Sequence, residues 1–149
     1  MTVATVNPYA TQIAMDMVAR GGNALDAAIA ATFALGVVDG HNSGIGGGCF
    51  ILVRLADGRV LAIDGREMAP AAAKPGRFLG PDGTPRGYMD VIPGGLSVGV
   101  PGNMRLMEMA HRKWGKLEWA ALFQPAIKLA EEGFEVTPVL HNWMTRFES

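Results

Sequence analysis

The chain has 149 residues, 49% of them apolar and 18% charged, with a net charge of −1. That length and apolar content suffice to bury a core and argue against disorder, while the near-neutral balance gives no reason to expect nucleic acid or an acidic membrane surface as a partner. The single cysteine excludes an internal disulfide and a multi-cysteine metal site, and the longest apolar run, Ala27 to Val38, is too short to span a bilayer.

In chain order, Asn7-Pro8 reads as a helix start, with Asn7 as cap and Pro8 in the first turn. Ala10, Ile13, Ala14, Met17 and Val18 then form one apolar stripe at helical spacing, and Gly21-Gly22 ends the helix. Asn23 caps a second helix, with Asp26 three residues on as a variant of the capping box. This helix, ALDAAIAATFALGVV, is apolar on nearly every side and is expected to be buried in a larger body.

The segment HNSGIGGGCF follows. Counted from Gly44, a dinucleotide fingerprint would need its third glycine where Cys49 stands, and no lysine completes a Walker loop. The glycines also follow a helix and precede a strand, the reverse of what aims helix N–H groups at a phosphate. Close backbone approach is the better reading.

Two strand-like runs, CFILVRL and RVLAI, flank Asp57-Gly58, a strong hairpin signal. The first is apolar on both faces at its start, which predicts a sheet covered on both sides. Pro70 to Gly95 is rich in Pro, Gly and Ala and predicts a long surface excursion; a third short strand, LSVGV, stops at Pro101. Asn103 to Trp114 is helical, with Met104, Met107 and Ala110 on one side. Leu117 to Glu132 is helical too, broken at Pro125 and ended by Gly133. Thr137-Pro138 opens a last helix that runs to the final residues, so that Ser149 falls inside a periodic pattern. Three strands cannot cover themselves and an all-apolar helix, so the sequence reads as the first part of something longer.

Several ordered segments resemble the N-terminal part of the large subunit of the gamma-glutamyltranspeptidase (gamma-glutamyltransferase) family: GGNALDAAIAA from Gly21, SGIGGGCF from Ser43, DGREMAPAAA from Asp64, VPG from Val100 and WGKLEWAALFQPAIKLAEEGF from Trp114. The match spans the whole chain, and its order and spacing are more specific than any one motif. The resemblance implies an α+β chain belonging to an N-terminal nucleophile hydrolase, an αββα sandwich of which residues 1–149 would be only the N-terminal portion of the large-subunit domain, with no complete second domain. It implies a gamma-glutamyl transferase/hydrolase acting on glutathione-like gamma-glutamyl amides, cut from a precursor into two subunits. The threonine nucleophile of such an enzyme opens the small subunit, so this chain alone would hold no catalytic residue and would be inactive. No metal or cofactor is implied. The expected partners are a small gamma-glutamyl substrate and the missing small subunit. Alternatives are a non-catalytic truncated relative that binds or assembles, or an amide acylase of the same fold. MTVATVNPYATQ has no basic segment followed by an apolar one, so it is no signal peptide; a cytoplasmic location, or a periplasmic or secreted one after loss of a leader, both stay open.

Arg66, in DGREMAP, is the candidate substrate-binding residue. On the residues alone, an ion pair to Glu67 or Asp64 is the stronger reading. The resemblance reverses that order, because the matching arginine grips the α-carboxylate of the donor, for which a planar guanidinium is suited. His41, His111 and His141 have no metal spacing, Cys49 reads as packing, Ser43 and Ser97 lack a nucleophile elbow, and Asp26 reads as a cap. Glu131-Glu132 read as a solvated helix face, and the three tryptophans as packing.

Overall fold

The structure, a computed structural model, describes residues 1–146, so the last three residues, Ser149 among them, lie outside the described residues. The chain divides into two compact units, residues 1–46 with 104 onward, and Gly47–Asn103.

The first unit is helical. Helix α1, Pro8–Ala19, starts where Asn7 Oδ1 accepts the Tyr9 amide at 3.0 Å, and Pro8 costs nothing there because its missing N–H would have had no partner. Its buried face is Ala10, Ile13, Ala14 and Met17, with Val18 only half-buried. Gly21 takes a φ of 93°, and the amides of Gly21 and Gly22 return to the carbonyls of Val18 and Met17, closing the helix in a Schellman turn. Helix α2, Ala24–Val38, begins at once with the expected capping box. Only Ala24 and Ala28 along it are exposed, as the all-apolar pattern requires.

Helix α2 packs against α1 on one side and against the C-terminal helices on another. Phe33 stacks on Phe123 with ring centroids 4.0 Å apart and meets Trp119 edge-on at 5.8 Å. Such aromatic pairs contribute roughly 0.5–1.5 kcal/mol each beyond their buried area.

At the start of α2 the Asp26 carboxylate has no exposed surface, and four contacts converge on it. It accepts the Asn23 amide at 2.9 Å, the Lys116 amide at 3.1 Å and the Leu117 amide at 3.4 Å, and His111 Nε2 lies 3.8 Å away. Asn23 Nδ2 donates to the Trp114 carbonyl at 2.6 Å. Together these side chains tie the N-terminus of α2 to the turn that ends helix α4, Asn103–Trp114. A side chain at Gly22 would meet the Met17 carbonyl at 2.7 Å and Leu117 at 2.8 Å, so only glycine allows this approach.

Helix α4 buries Leu106, Met107 and Ala110, with Met104 half-buried. The expected helix from Leu117 is shorter and divided. A 3-10 turn, Trp119–Leu122, precedes an α-helix, α5, Gln124–Glu132. Pro125 sits in the first turn of that helix instead of breaking it, because a proline there displaces no hydrogen bond. The last helix, α6, is Pro138–Thr145, capped by Thr137 Oγ1 accepting the Leu140 amide at 3.2 Å. It closes at Thr145 within the described residues.

The second unit carries an antiparallel two-stranded sheet, β1 Cys49–Arg54 and β2 Val60–Gly65, in register from Cys49↔Gly65 to Arg54↔Val60. Gly58, with φ 87°, makes the turn as Asp-Gly predicts. Cys49, Ile51 and Val53 lie on the half-buried face, while Phe50 is 66% and Leu52 76% exposed. The expected cover on both faces is therefore not met among the described residues. The expected third strand is absent as well: residues 96–100 make a single bridge, Met68↔Val100. Pro101 has no amide to continue a ladder, and Gly99 supplies no side chain to pack on one. The excursion from Pro70 to Gly95 is mostly exposed, as composition predicts, but includes a short helix, α3 Tyr88–Val91, that periodicity did not reveal.

Asp26→Ala in the full-length protein is expected to strand the amides of Asn23, Lys116 and Leu117, at about 1–3 kcal/mol for each buried donor left unpaired. A thermal melt should show a drop of several degrees or more; an unchanged midpoint would mean that the carboxylate is not what joins α2 to the α4 turn.

Candidate functional site

Arg66 leaves β2 at the foot of the hairpin, where three backbone segments come together. The Gly65 carbonyl, buried beneath it, faces two glycines: a Cβ at Gly48 would sit 2.5 Å from that oxygen, and one at Gly102 would overlap it. The Gly47 carbonyl receives the Gly102 amide at 3.2 Å and the Asn103 amide at 3.0 Å. The next carbonyl, of Gly48, accepts Arg66 Nη1 at 2.7 Å. The glycine-rich segment thus holds the guanidinium through its backbone, which is possible only because no side chain intervenes. Close approach is the explanation for Gly48, but not for Gly44 or Gly46, where an added Cβ would meet no atom of the described residues beyond its chain neighbours within 4 Å.

Glu67 supplies the second contact. Its Oε2 lies 3.3 Å from Arg66 Nη2, and it is confined by Gly99, where a Cβ would meet the Glu67 Cβ at 2.9 Å, and by Gly48, where a Cβ would meet its Oε2 at 2.7 Å. Asp64 is no partner of the guanidinium; its Oδ1 accepts the Arg66 backbone amide at 2.9 Å. The Arg66 side chain is 53% exposed, lies 6.0 Å from the Phe50 ring, and has no partner for Nε among the described residues. Both readings of Arg66 therefore coexist in the geometry: it pairs with Glu67 and still presents an open donor edge to an anion.

Cys49 opens β1 beside this group. Its thiol donates to Asn103 Oδ1 at 3.0 Å, and Asn103 is buried. Burial pushes the thiol pKa above its ordinary value; the nearby Arg66 charge lowers it in part and Glu67 raises it. The raised value keeps the thiol protonated and unreactive near neutral pH, the behaviour of packing and not of a nucleophile.

The other candidates lie elsewhere. His111 Nε2 is 2.8 Å from the Leu117 carbonyl and its ring packs on Trp119 at 5.1 Å, so it belongs to the Asp26 junction. His41 packs against Trp143 with centroids 5.3 Å apart, and its Nε2 is 3.4 Å from Asp39. His141 is exposed. Ser43 approaches Asp39 at 3.5 Å and Ser97 the Ile92 carbonyl at 3.4 Å, neither with a histidine base. Glu132 pairs with Lys128 on an exposed face, as expected. Among the described residues no group of three His, Cys, Asp or Glu could hold a metal, and no helix is long and apolar enough to cross a membrane. Sequence reasoning missed Gly102 and Asn103 as supports of the site, since their bonds to Gly47 cross more than fifty residues of chain.

Comparison with known proteins gives a consistent result. The gamma-glutamyltranspeptidase family profile matches residues 10–149. The glutathione hydrolase proenzyme of Bacillus subtilis (strain 168) is 45% identical over 98% of this chain, which spans 25% of that protein. The crystal structure of Helicobacter pylori gamma-glutamyltranspeptidase superimposes with a TM-score of 0.92 at 36% identity, covering 98% of this chain and 42% of that one. The gamma-glutamyltranspeptidase from Pseudomonas nitroreducens superimposes equally well, with a TM-score of 0.92 at 34% identity, covering 98% of this chain and 43% of that one. The chain thus spans about a quarter of the length of the B. subtilis relative.

Cys49 should alkylate with iodoacetamide more slowly than a free cysteine at pH 8, with its rate rising only at a pH above the ordinary thiol range. A rate midpoint at or below that of free cysteine would contradict the environment described for it.

Proposed function

Because the chain belongs to the gamma-glutamyltranspeptidase family, an enzyme family of the N-terminal nucleophile hydrolase fold, we propose that it is the N-terminal portion of the large subunit of a gamma-glutamyl transferase/hydrolase acting on glutathione-like gamma-glutamyl amides. The relatives' names, glutathione hydrolase proenzyme and gamma-glutamyltranspeptidase, support that substrate class. In this reading the threonine nucleophile and the oxyanion donors come from the small subunit of the same precursor. The large-subunit segment described here contributes donor recognition.

The observation that carries the reading is the state of Arg66. Gly48 and Glu67 fix its guanidinium from one side, and its Nε edge is left for a carboxylate. In this role Arg66 binds the donor's α-carboxylate in a charge-assisted contact that orients the gamma-amide for attack. Its pairing with Glu67 limits the rotamer freedom that would otherwise be lost on binding.

Arg66→Ala in the complete enzyme should lower kcat/KM for a gamma-glutamyl donor by the equivalent of about 2–5 kcal/mol, the range for removing one member of a hydrogen-bonded charge pair. Arg66→Lys should recover only part, since it restores charge without the planar fork. A donor lacking the α-carboxylate should react about equally with wild type and Arg66→Ala. If the alanine variant, shown by melting to be folded, slows both donors alike, Arg66 is a structural ion-pair residue. In a separate assay with a chromogenic gamma-glutamyl anilide, residues 1–149 alone should give no turnover; turnover traced to the purified chain would place the nucleophile here and overturn the division of labour.

A further inference from the structure

The carbonyl that holds Arg66 belongs to the peptide group joining Gly48 to Cys49. A glycine resists rotation of that group less than any other residue, so the direction of the carbonyl depends on how its neighbours are held. Neither Gly48 nor Gly102 can carry a side chain, because a Cβ at either would run into the Gly65 backbone. The first positions after these glycines where a side chain can act are Cys49 and Asn103, and the two meet: the Cys49 thiol donates to Asn103 Oδ1 at 3.0 Å. The sheet partner of Cys49 is Gly65, which has no side chain to offer it.

Asn103 holds the chain on both sides of Gly48. Its backbone amide donates to the Gly47 carbonyl at 3.0 Å, beside the Gly102 amide at 3.2 Å. Its side chain accepts the thiol of Cys49. One residue thus fixes position 47 through its main chain and position 49 through its side chain. Between them the Gly48 carbonyl points at Arg66 Nη1, 2.7 Å away. Asn103 is only 6% exposed, so little water competes for its side-chain oxygen. Burial also keeps the thiol protonated, as a donor must be.

We infer that Asn103 is a positioning residue for donor recognition: through Cys49 and the Gly47–Gly48 backbone it aims the carbonyl that fixes the Arg66 guanidinium, and it acts on the donor only through Arg66. Its effect on the donor rests on the Arg66 reading above; its effect on the guanidinium does not. A serine at position 49 could replace the thiol as donor, whereas alanine at either position removes the bond.

The test uses the full-length protein labelled with ¹⁵N-arginine, the Arg66 signal being identified by its loss in Arg66→Lys. Asn103→Ala and Cys49→Ala should each speed rotation about the Arg66 Nε–Cζ bond by about threefold, the lower end for loss of one hydrogen bond because a thiol is a weak donor. Cys49→Ser should keep most of the wild-type rate. In the active enzyme each alanine variant should lower kcat/KM for a gamma-glutamyl donor by about the same factor, the double variant by no more than either alone, and a donor lacking the α-carboxylate should be unaffected. In an Arg66→Ala background, Asn103→Ala should cost nothing further. Cys49→Ala removes the same bond from its other end, so either variant decides the question if melting shows the other to be unfolded. An unchanged rotation rate, losses from the two alanine substitutions that simply add, or an equal loss in the Arg66→Ala background would make Asn103 a packing residue and overturn the inference. Should Arg66→Ala slow both donors alike, the donor reading fails, and the rotation rate still decides the positioning role by itself.

Discussion

A buried carboxylate organises the helical unit. Asp26 has no exposed surface, and an isolated charge in that position would be costly. It is tolerated because it accepts backbone amides from two distant stretches, the start of α2 and the turn after α4. Much else in the unit accommodates this junction. Gly22 is small so that Leu117 can reach it, and the space beside Gly115 is filled by the His111 ring. The His111 ring in turn contacts Trp119, which joins Phe33 and Phe123 in the aromatic cluster along α2. A polar junction and an apolar one thus hold the same helix at neighbouring points, and the polar one fixes the register.

The second unit uses the opposite device. Its candidate site depends on absent side chains, with backbone packed against backbone at Gly48, Gly65 and Gly102. This places carbonyl oxygens where side chains would otherwise stand, and one of them grips Arg66. A carbonyl cannot change rotamer, so the guanidinium is anchored to a rigid group, with Glu67 adding a charged contact to the same end.

What the sequence made legible was largely local. The caps at Asn7, Asn23 and Thr137, the Gly21-Gly22 stop and the Asp57-Gly58 turn each depend on residues a few positions apart, and each stands as read. The stretch 96–100 misled because alternation alone does not reveal whether a partner strand runs beside it; one bridge to Met68 is all that forms. Asp26 was legible as a cap but not as a junction, since its other acceptor bonds go to residues some ninety positions away. Arg66 was found through the resemblance of DGREMAP to a family pattern, and the family is borne out by the comparisons. Its support by Gly48 was not legible, because a carbonyl carries no residue-type signature.

The spacing between Asp26 and Lys116 also sets a clock. The two are 90 residues apart, so during synthesis α1 and α2 emerge long before the Lys116 and Leu117 amides that hydrogen-bond the buried carboxylate exist. At roughly 5–20 residues per second, that interval is on the order of 5–18 s. Through it the ribosome carries a tightly capped helical hairpin whose second helix is apolar almost all round and whose Asp26 carboxylate still needs water. The nascent chain must therefore keep α2 either loosely hydrated or sheltered by a chaperone, and the helix can be entombed only once the turn after α4 has been made.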